Sequence, residues 1–136
     1  MTNYQNLLKS YGLKTTFQRL SILKSIDIAG HITIDDIHKD ILTNHPSLSL
    51  ATVYNNILKM QNIGVVVEVP ISGKKSKYEL IKDDHIHLIC QKCGSVVDKD
   101  INCDVEQIFD KISVENNFVL LSTQNNLYGV CKDCIY

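Results

Sequence analysis

Four of the five cysteines of this 136-residue chain form two Cys-x-x-Cys pairs, Cys90/Cys93 and Cys131/Cys134. Two thiolates at this spacing can hold one Zn²⁺ ion about 2.3 Å from each sulfur, and two such pairs complete a closed tetrahedral site. Disulfides are disfavoured because we expect the chain to be cytoplasmic, where thiols stay reduced. The spacing therefore predicts a structural Zn²⁺ site, with redox chemistry as the alternative. We expect the fifth cysteine, Cys103, to be a small, partly buried apolar residue.

Two histidines, His85 and His87, stand just before the first cysteine pair. On a strand, residues i and i+2 point to the same face, so both imidazoles could reach one ion. Carboxylates lie on either side, at Glu79, Asp83, Asp84 and Asp98. This mixed ligand set favours Fe²⁺, Mn²⁺ or an exchangeable Zn²⁺, and predicts a second metal site across a domain boundary. The alternative is an ordinary solvated strand face.

The elements that must position these residues follow from periodicity and from helix caps. Helices are predicted over residues 3–11 and 16–28, and a third between residues 31 and 46 begins at Thr33. A fourth helix begins after Ser49 and ends at Gly64. One of its faces is apolar and is predicted to pack against a core, with Leu50, Val53, Ile57 and Met60.

The opposite face of this fourth helix carries amides, hydroxyls and a lysine suited to base edges and phosphates. With the preceding helix it predicts a helix-turn-helix. Strands over residues 65–69 and 77–80 predict a basic β wing beside it. The predicted DNA-binding residues are Ser49, Thr52, Tyr54, Asn55, Asn56, Lys59, Lys74, Lys75 and Lys77. An amphipathic helix with a solvated polar face is the alternative.

The second half of the chain predicts a small α+β domain. Strands are expected near residues 86–89, 96–97, 118–123 and 127–130, with a helix over 102–116. The predicted fold class is thus α+β: a winged helix-turn-helix domain over residues 1–78 and a small α/β dimerisation domain with the Cys₄ zinc site over 79–136. We expect so short a second domain to need a bound metal ion for its stability, because its hydrophobic core is small.

The net charge of −1 argues, taken over the whole chain, against a nucleic-acid binder. The first 78 residues, however, carry nine basic and five acidic side chains, whereas the remainder carries five and ten. The first half is therefore the candidate partner of a polyanion. No apolar run is long enough to span a membrane, and residues 1–6 lack the features of a signal peptide.

Four blocks of the sequence occur in the order found in the ferric uptake regulator family, which the chain resembles over essentially its whole length. The blocks are residues 14–19, 49–54, 85–94 and 128–134. The resemblance implies a homodimeric, metal-dependent transcriptional repressor rather than an enzyme. It implies a double-stranded DNA operator with inverted-repeat half-sites as partner, and neither a membrane nor a small organic substrate.

The resemblance also implies roles for individual residues. The four paired cysteines correspond to the family's structural Zn²⁺ ligands. Tyr54 matches a base-contacting tyrosine with Asn55 and Asn56 as neighbours, and Lys14 matches a basic residue that approaches the minor groove. The implied regulatory Fe²⁺ or Mn²⁺ ligands are His31, Glu79, His85, His87 and Asp98.

Within the family, Asp98, Asp84 and the Asn55-Asn56 pair resemble the peroxide-sensing branch, whereas Glu79 departs from it. This branch senses hydrogen peroxide by metal-catalysed oxidation of histidine ligands, here His31 or His85, and derepresses peroxide-defence genes. An iron-responsive regulator and a thiol-disulfide sensor using the Cys-x-x-Cys pairs are the alternatives. A zinc deaminase is disfavoured because its His-x-Glu and Pro-Cys-x-x-Cys motifs are missing.

Overall fold

The computed structural model describes residues 3–135, and their contacts form two compact units. The first unit ends at Ile81 and the second begins at Lys82. The outer ends of the two expected domains, and the first two residues of the segment considered for a signal peptide, lie outside the described residues. Glu79, expected to begin the second domain, lies on a strand of the first unit.

The first unit contains four helices, α1 (Tyr4–Ser10), α2 (Phe17–Ala29), α3 (Ile34–Leu42) and α4 (Leu50–Ile63). Each begins after a polar residue whose side chain accepts a hydrogen bond from the backbone N–H three positions on, at Asn3, Thr16, Thr33 and Ser49. One such cap stabilises a helix by about 1 kcal/mol. Helix α4 ends at Gly64, whose left-handed φ of 97° suits glycine.

These helices enclose one apolar core. From α4 it takes Val53, Ile57 and Met60, which are fully buried as predicted. The prediction for Leu50 was wrong, since 43% of this side chain is exposed. Leu50 is the first residue of α4 and lines a surface groove with Tyr54, so it projects beyond the core.

Two antiparallel strands form the wing of the first unit, β1 (Val66–Val69) and β2 (Lys77–Leu80). Tyr78 on β2 also bridges to Ile32, just before α3. Its hydroxyl donates to Glu68 Oε2 at 3.1 Å, and burial together with this carboxylate raises the pKa of Tyr78 to about 12. Helices α3 and α4 followed by this hairpin form the predicted winged helix-turn-helix.

The second unit is a three-stranded sheet with one helix. Its elements are β3 (His85–Cys90), β4 (Val96–Asp100), α5 (Cys103–Glu115) and β5 (Asn125–Gly129). Central β3 pairs with β4 antiparallel and with β5 parallel. The strand predicted over residues 118–123 was wrong: this segment has no regular secondary structure and joins neither described sheet, and the N–H of Thr123 donates to Asp84 Oδ2 instead.

Large apolar side chains are exposed across the second unit, although the first unit buries most of its own. They lie on the sheet, on α5 and in the segment after it: Leu88, Val97, Leu127, Ile108, Ile112, Phe118, Val119 and Leu121. Cys103 is exposed as well, contrary to our expectation, because it stands at the start of α5. An apolar surface of this kind is typical of a protein interface. Among residues 3–135, no helix is long and apolar enough to cross a membrane.

Candidate metal centres and DNA-binding surface

The four paired cysteines converge at one end of the sheet in the second unit. Parallel pairing places Cys90, at the end of β3, beside Gly129, just before the second pair. All four Sγ atoms lie within 4.8 Å of one another, and those of Cys93 and Cys131 are 3.8 Å apart. Four sulfurs about 2.3 Å from a central Zn²⁺ form a tetrahedron with edges of about 3.8 Å, so this set fits Zn²⁺.

Backbone N–H groups stabilise the thiolate form of one cysteine in this cluster. The N–H groups of Cys93 and Cys131 point at Cys90 Sγ, at 3.5 and 3.3 Å, and these contacts lower the pKa of Cys90 to about 6. Hydrogen bonding with Ser95 lowers the pKa of Cys93. By contrast, hydrogen bonding with Cys131 raises the pKa of Cys134 to about 12. A metal ion must therefore displace a proton from Cys134 in order to bind all four sulfurs.

Within the first unit, two of the predicted regulatory ligands form a pair. His31 Nε2 lies 3.0 Å from Glu79 Oε2, and Glu79 is buried, with a relative exposure of 2%. The bridge between Ile32 and Tyr78 positions them, because each of these residues is the chain neighbour of one partner. A buried carboxylate needs a positive partner, so the pair suits a cation.

Within the second unit, His85, His87 and Asp98 share one face of the sheet. Alternation along β3 places both imidazoles on that face, and Asp98 is the register partner of His87. The two Nε2 atoms are 2.8 Å apart. Asp98 Oδ1 lies 3.7 Å from the Nε2 atom of His85 and 3.4 Å from that of His87.

The other ring nitrogens determine the tautomers of these histidines. The Nδ1 of His85 lies 2.8 Å from the carbonyl oxygen of Asp83, and that of His87 lies 2.9 Å from Asn126 Oδ1. Both oxygens only accept, so each Nδ1 carries the proton and each Nε2 presents a lone pair. Two lone pairs and a carboxylate oxygen thus converge, which is a donor set that fits Fe²⁺, Mn²⁺ or Zn²⁺.

Asn126 is a functional candidate that our sequence analysis missed. It lies on β5 directly opposite His87, and its amide also donates to Tyr128 Oη at 3.4 Å, which fixes the direction of Oδ1. Only the parallel pairing of β3 with β5 brings it there, across 39 residues of chain. No local motif signals such a contact. Asp84, noted among the nearby carboxylates, instead accepts from the backbone N–H of Thr123.

The predicted DNA-binding residues of α4 divide into exposed and structural ones. Ser49, Tyr54, Asn55 and Lys59 are exposed, whereas Thr52 is half-buried and hydrogen-bonds to the cap at Ser49. The half-buried amide of Asn56 accepts from Arg19 Nε at 3.3 Å and donates to the carbonyl of Thr52. The exposed four can meet base edges and phosphates, and Asn56 is held within the unit.

Arg19, on α2, was not among the predicted residues. Besides contacting Asn56, it donates to the carbonyl oxygen of Lys14 at 2.7 Å. It therefore joins the loop that carries exposed Lys14 to the helix that carries Tyr54. These bonds use two of the five N–H donors of the guanidinium and hold the Arg19 side chain in place.

The wing adds positive charge beside α4. Lys74 is exposed in the turn, Lys77 begins β2, and Lys75 forms an ion pair with Asp35 of α3, which lowers the pKa of Asp35. A groove of about 520 Å³ runs between α4, α3 and this wing, and Tyr54 and Lys75 are among its lining residues. The arrangement offers an α-helix flanked by cations, which is how winged helices meet DNA.

Residues 10–128 match the sequence model of the ferric uptake regulator family, which is 119 of the 136 residues. The chain belongs to the ferric uptake regulator family. This confirms the resemblance that the sequence blocks indicated. Members of this family are metal-dependent transcriptional repressors that bind DNA as dimers, so the chain is a regulator of this kind and not an enzyme.

Relatives within the ferric uptake regulator family carry two different names. The chain is 34% identical to the peroxide-responsive repressor PerR of Staphylococcus saprophyticus, over 93% of this chain and 86% of that protein. It is 32% identical to the ferric uptake regulation protein of Neisseria meningitidis, over 98% and 96%.

A solved family structure extends the likeness to three dimensions. The ferric uptake regulator of Pseudomonas aeruginosa with manganese has a TM-score of 0.82 and 28% identity, covering 96% of this chain and 99% of that one. In this chain the cysteine cluster is a donor set that suits Zn²⁺, and the imidazole-carboxylate cluster is one that suits Fe²⁺ or Mn²⁺.

Proposed function

We propose that this chain is a cytoplasmic homodimeric repressor that binds DNA with Fe²⁺ or Mn²⁺, senses hydrogen peroxide and derepresses peroxide-defence genes. The observation that carries the proposal is the convergence of His85 Nε2, His87 Nε2 and Asp98 Oδ1. Nitrogen and carboxylate donors hold Fe²⁺ in a site that leaves room for a small oxidant, unlike four thiolates. Identity to peroxide-responsive relatives adds support.

We assign five residues to the regulatory metal: His31 and Glu79 of the first unit, and His85, His87 and Asp98 of the second. The first group offers two donor atoms and the second offers three, and neither number satisfies an ion that prefers about six ligands. One ion held by both groups would link the DNA-binding unit to the dimerisation unit. Metal occupancy would then bias the conformations that the repressor can adopt.

The sensing step falls to the imidazole rings. A bound Fe²⁺ ion would supply the first electron for opening the peroxide O–O bond and would regain it from the ring, so that iron is not consumed. In the net reaction, His31 or His85 gains one peroxide oxygen at a ring C–H bond, the other oxygen leaves as water, and the ring loses the two electrons that peroxide gains. His85 suits this role because 14% of its side chain is accessible to solvent, against 2% for His87. An oxidised ring is a poorer ligand, so the site would release the metal ion. The repressor would then dissociate from the DNA.

We assign DNA recognition to the exposed side of α4 and to the wing. A dimer would present two such helices to half-sites about one helical turn, or 34 Å, apart. Lys14, Lys59, Lys74, Lys75 and Lys77 would meet phosphates, while Ser49, Thr52, Tyr54, Asn55 and Asn56 would lie at or beside base edges. In a dimer, two positively charged first units would face a single DNA duplex. The net charge of the whole chain is therefore the wrong quantity from which to judge DNA binding.

The experiment that tests this function compares Fe²⁺-loaded and Mn²⁺-loaded dimer on an operator duplex before and after peroxide. We expect peroxide to release the Fe²⁺ form and to leave the Mn²⁺ form bound. An iron-responsive regulator is the second candidate, because the chain is also 32% identical to a ferric uptake regulation protein, and it would respond to chelation alone. Release of neither form by peroxide would refute peroxide sensing.

A thiol-disulfide sensor is favoured by one observation, the distance of 3.8 Å between the Sγ atoms of Cys93 and Cys131, which brings two thiols of the Cys-x-x-Cys pairs into contact. It would predict that a mild reductant restores the DNA binding that peroxide abolished. We expect no restoration, because oxygen inserted into an imidazole ring is not removed by thiols.

Replacing Tyr54 with alanine tests the recognition surface. The side chain is 48% exposed and lies outside the core, so the fold should persist. We expect operator affinity to fall by about tenfold or more, the usual effect of losing one base contact, with little change on a scrambled duplex. Asn62→Ala, at the exposed far end of α4, is the control and should leave operator binding unchanged. Equal losses of operator affinity in Tyr54→Ala and Asn62→Ala would show that Tyr54 has no specific role in the DNA interface.

Replacing Asn126 with leucine tests the tautomer assignment at His87. The change removes the acceptor that keeps the proton on Nδ1, so Nε2 is no longer held ready for a metal ion. Residues that orient a ligand in this way typically change metal affinity by about 10 to 100-fold. We expect a loss of that size in Mn²⁺ affinity, measured by calorimetry, with Zn²⁺ content unchanged. Asn125→Leu would not be a suitable control because Asn125 supports β3 directly, so Asn116→Leu on the α5 cap serves instead.

A further inference from the structure

Lys82 lies against one of the assigned metal ligands in the second unit. Its ammonium group donates to Asp98 Oδ2, while the other oxygen of the same carboxylate, Oδ1, faces the two histidines. Asp98 thus divides its two oxygens between an internal cation and the imidazole pair. The regulatory role described above does not use this lysine.

We propose that Lys82 competes with the regulatory metal ion for Asp98 and thereby sets the affinity of the site. This role rests on the proposed function, because it takes Asp98 as a ligand. A divalent ion at Asp98 either shares the carboxylate with the ammonium group or displaces it. Sharing costs free energy through repulsion between like charges, and displacement costs the ion pair, so both weaken metal binding.

Partial exposure makes this competition reversible. The side chain of Lys82 is 41% exposed and that of Asp98 is 31% exposed. An ammonium group in such a position can turn into water without leaving a buried charge behind, and an exposed pair is weak enough to break. A buried pair would instead be costly to separate and would exclude the metal ion. The partial exposure of both side chains therefore lets Lys82 weaken metal binding at Asp98 without preventing it.

Other lysines of the second unit lack this contact. Lys99 is the next residue along β4 after Asp98, and strand alternation places it on the opposite face. Lys92 donates to the carbonyl oxygen of Cys134, and Lys111 pairs with Glu115. Lys99 is thus a matched control, since it carries the same charge on the same strand but faces away from the site.

The test is a Mn²⁺ titration of the zinc-loaded dimer, followed by calorimetry, with Lys82→Met and Lys99→Met compared to the parent protein. Methionine keeps an unbranched apolar chain and removes the charge. We expect Lys82→Met to bind Mn²⁺ about tenfold more tightly, the scale for one unit charge beside a divalent ion in a water-like dielectric. Lys99→Met should stay within about twofold of the parent.

A second comparison separates this role from the assignment of the site. In an Asp98→Asn background, Lys82→Met should raise Mn²⁺ affinity by less than in the parent protein, because the ion pair that the metal ion must share or break is already absent. Unchanged or weaker Mn²⁺ binding by Lys82→Met, or an equal gain in Lys99→Met, would overturn the competitor role. If Asp98→Asn alone left Mn²⁺ affinity unchanged, the regulatory site itself would be wrong, and the role of Lys82 with it. Zinc content and circular dichroism verify the fold of each variant.

Discussion

Replacement of Cys93 by serine is expected to abolish Zn²⁺ binding and to unfold the second unit. The four sulfurs lie within 4.8 Å of one another and join the end of β3 to the segment after β5, so one Zn²⁺ ion would tie distant parts of the chain together. Binding of a structural Zn²⁺ ion contributes on the order of 10 kcal/mol to such a fold. A unit with so many exposed apolar side chains has little else to replace that contribution.

The measurement is Zn²⁺ content by atomic absorption, combined with thermal unfolding and with the dimer fraction by analytical ultracentrifugation. We expect no bound Zn²⁺, loss of the dimer and an early unfolding transition. Cys103→Ser is the matched control, because Cys103 is exposed at the start of α5 and lies outside the cluster. It should retain Zn²⁺ and dimerise normally. A Cys93→Ser dimer with full Zn²⁺ content would show that the cluster is not the structural site.

Asp98→Ala is expected to separate the two metal sites. Asp98 Oδ1 lies 3.7 Å from the Nε2 atom of His85 and 3.4 Å from that of His87, so its loss removes a negative donor from that group. We expect Mn²⁺ affinity to fall by at least about 100-fold, and metal-stimulated operator binding to disappear. Zn²⁺ content should not change, because the cysteine cluster contains no carboxylate.

The appropriate control for this variant is Asp104→Ala, which removes an acidic side chain from the exposed first turn of α5. Fluorescence anisotropy of a labelled operator, titrated with and without Mn²⁺, gives the stimulation for each protein. Normal stimulation of Asp98→Ala would contradict the assignment. Loss of Zn²⁺ from the same variant would show instead that the change disrupts the whole second unit.

Local patterns were sufficient for most of the fold. Caps at Thr33 and Ser49 predicted where two helices begin, because the side chain and the backbone N–H that it satisfies are only three residues apart. The two cysteine pairs predicted their cluster for a similar reason, since each pair is a local unit with one chemical use.

Non-local pairing accounts for what could not be predicted. The contact between His87 and Asn126 exists only because β5 joins β3 in parallel, and no short motif specifies that register. The apolar residues from Phe118 to Leu121 predicted a strand, yet no strand of the described sheets pairs with them. Arg19 was missed because its partners, Asn56 and the carbonyl of Lys14, come together only when the helices pack.

The central claim is that histidine ligands of the regulatory metal react with peroxide, and peptide mass spectrometry tests it most directly. Fe²⁺-loaded and Mn²⁺-loaded dimers would be treated with peroxide, digested and compared. We expect the Fe²⁺ sample to gain the mass of one oxygen atom on the peptides that contain His31 or His85, and the Mn²⁺ sample to remain unchanged. Peptides containing His38 and His45 are internal controls. Loss of DNA binding without any oxygen on His31 or His85 would contradict the claim.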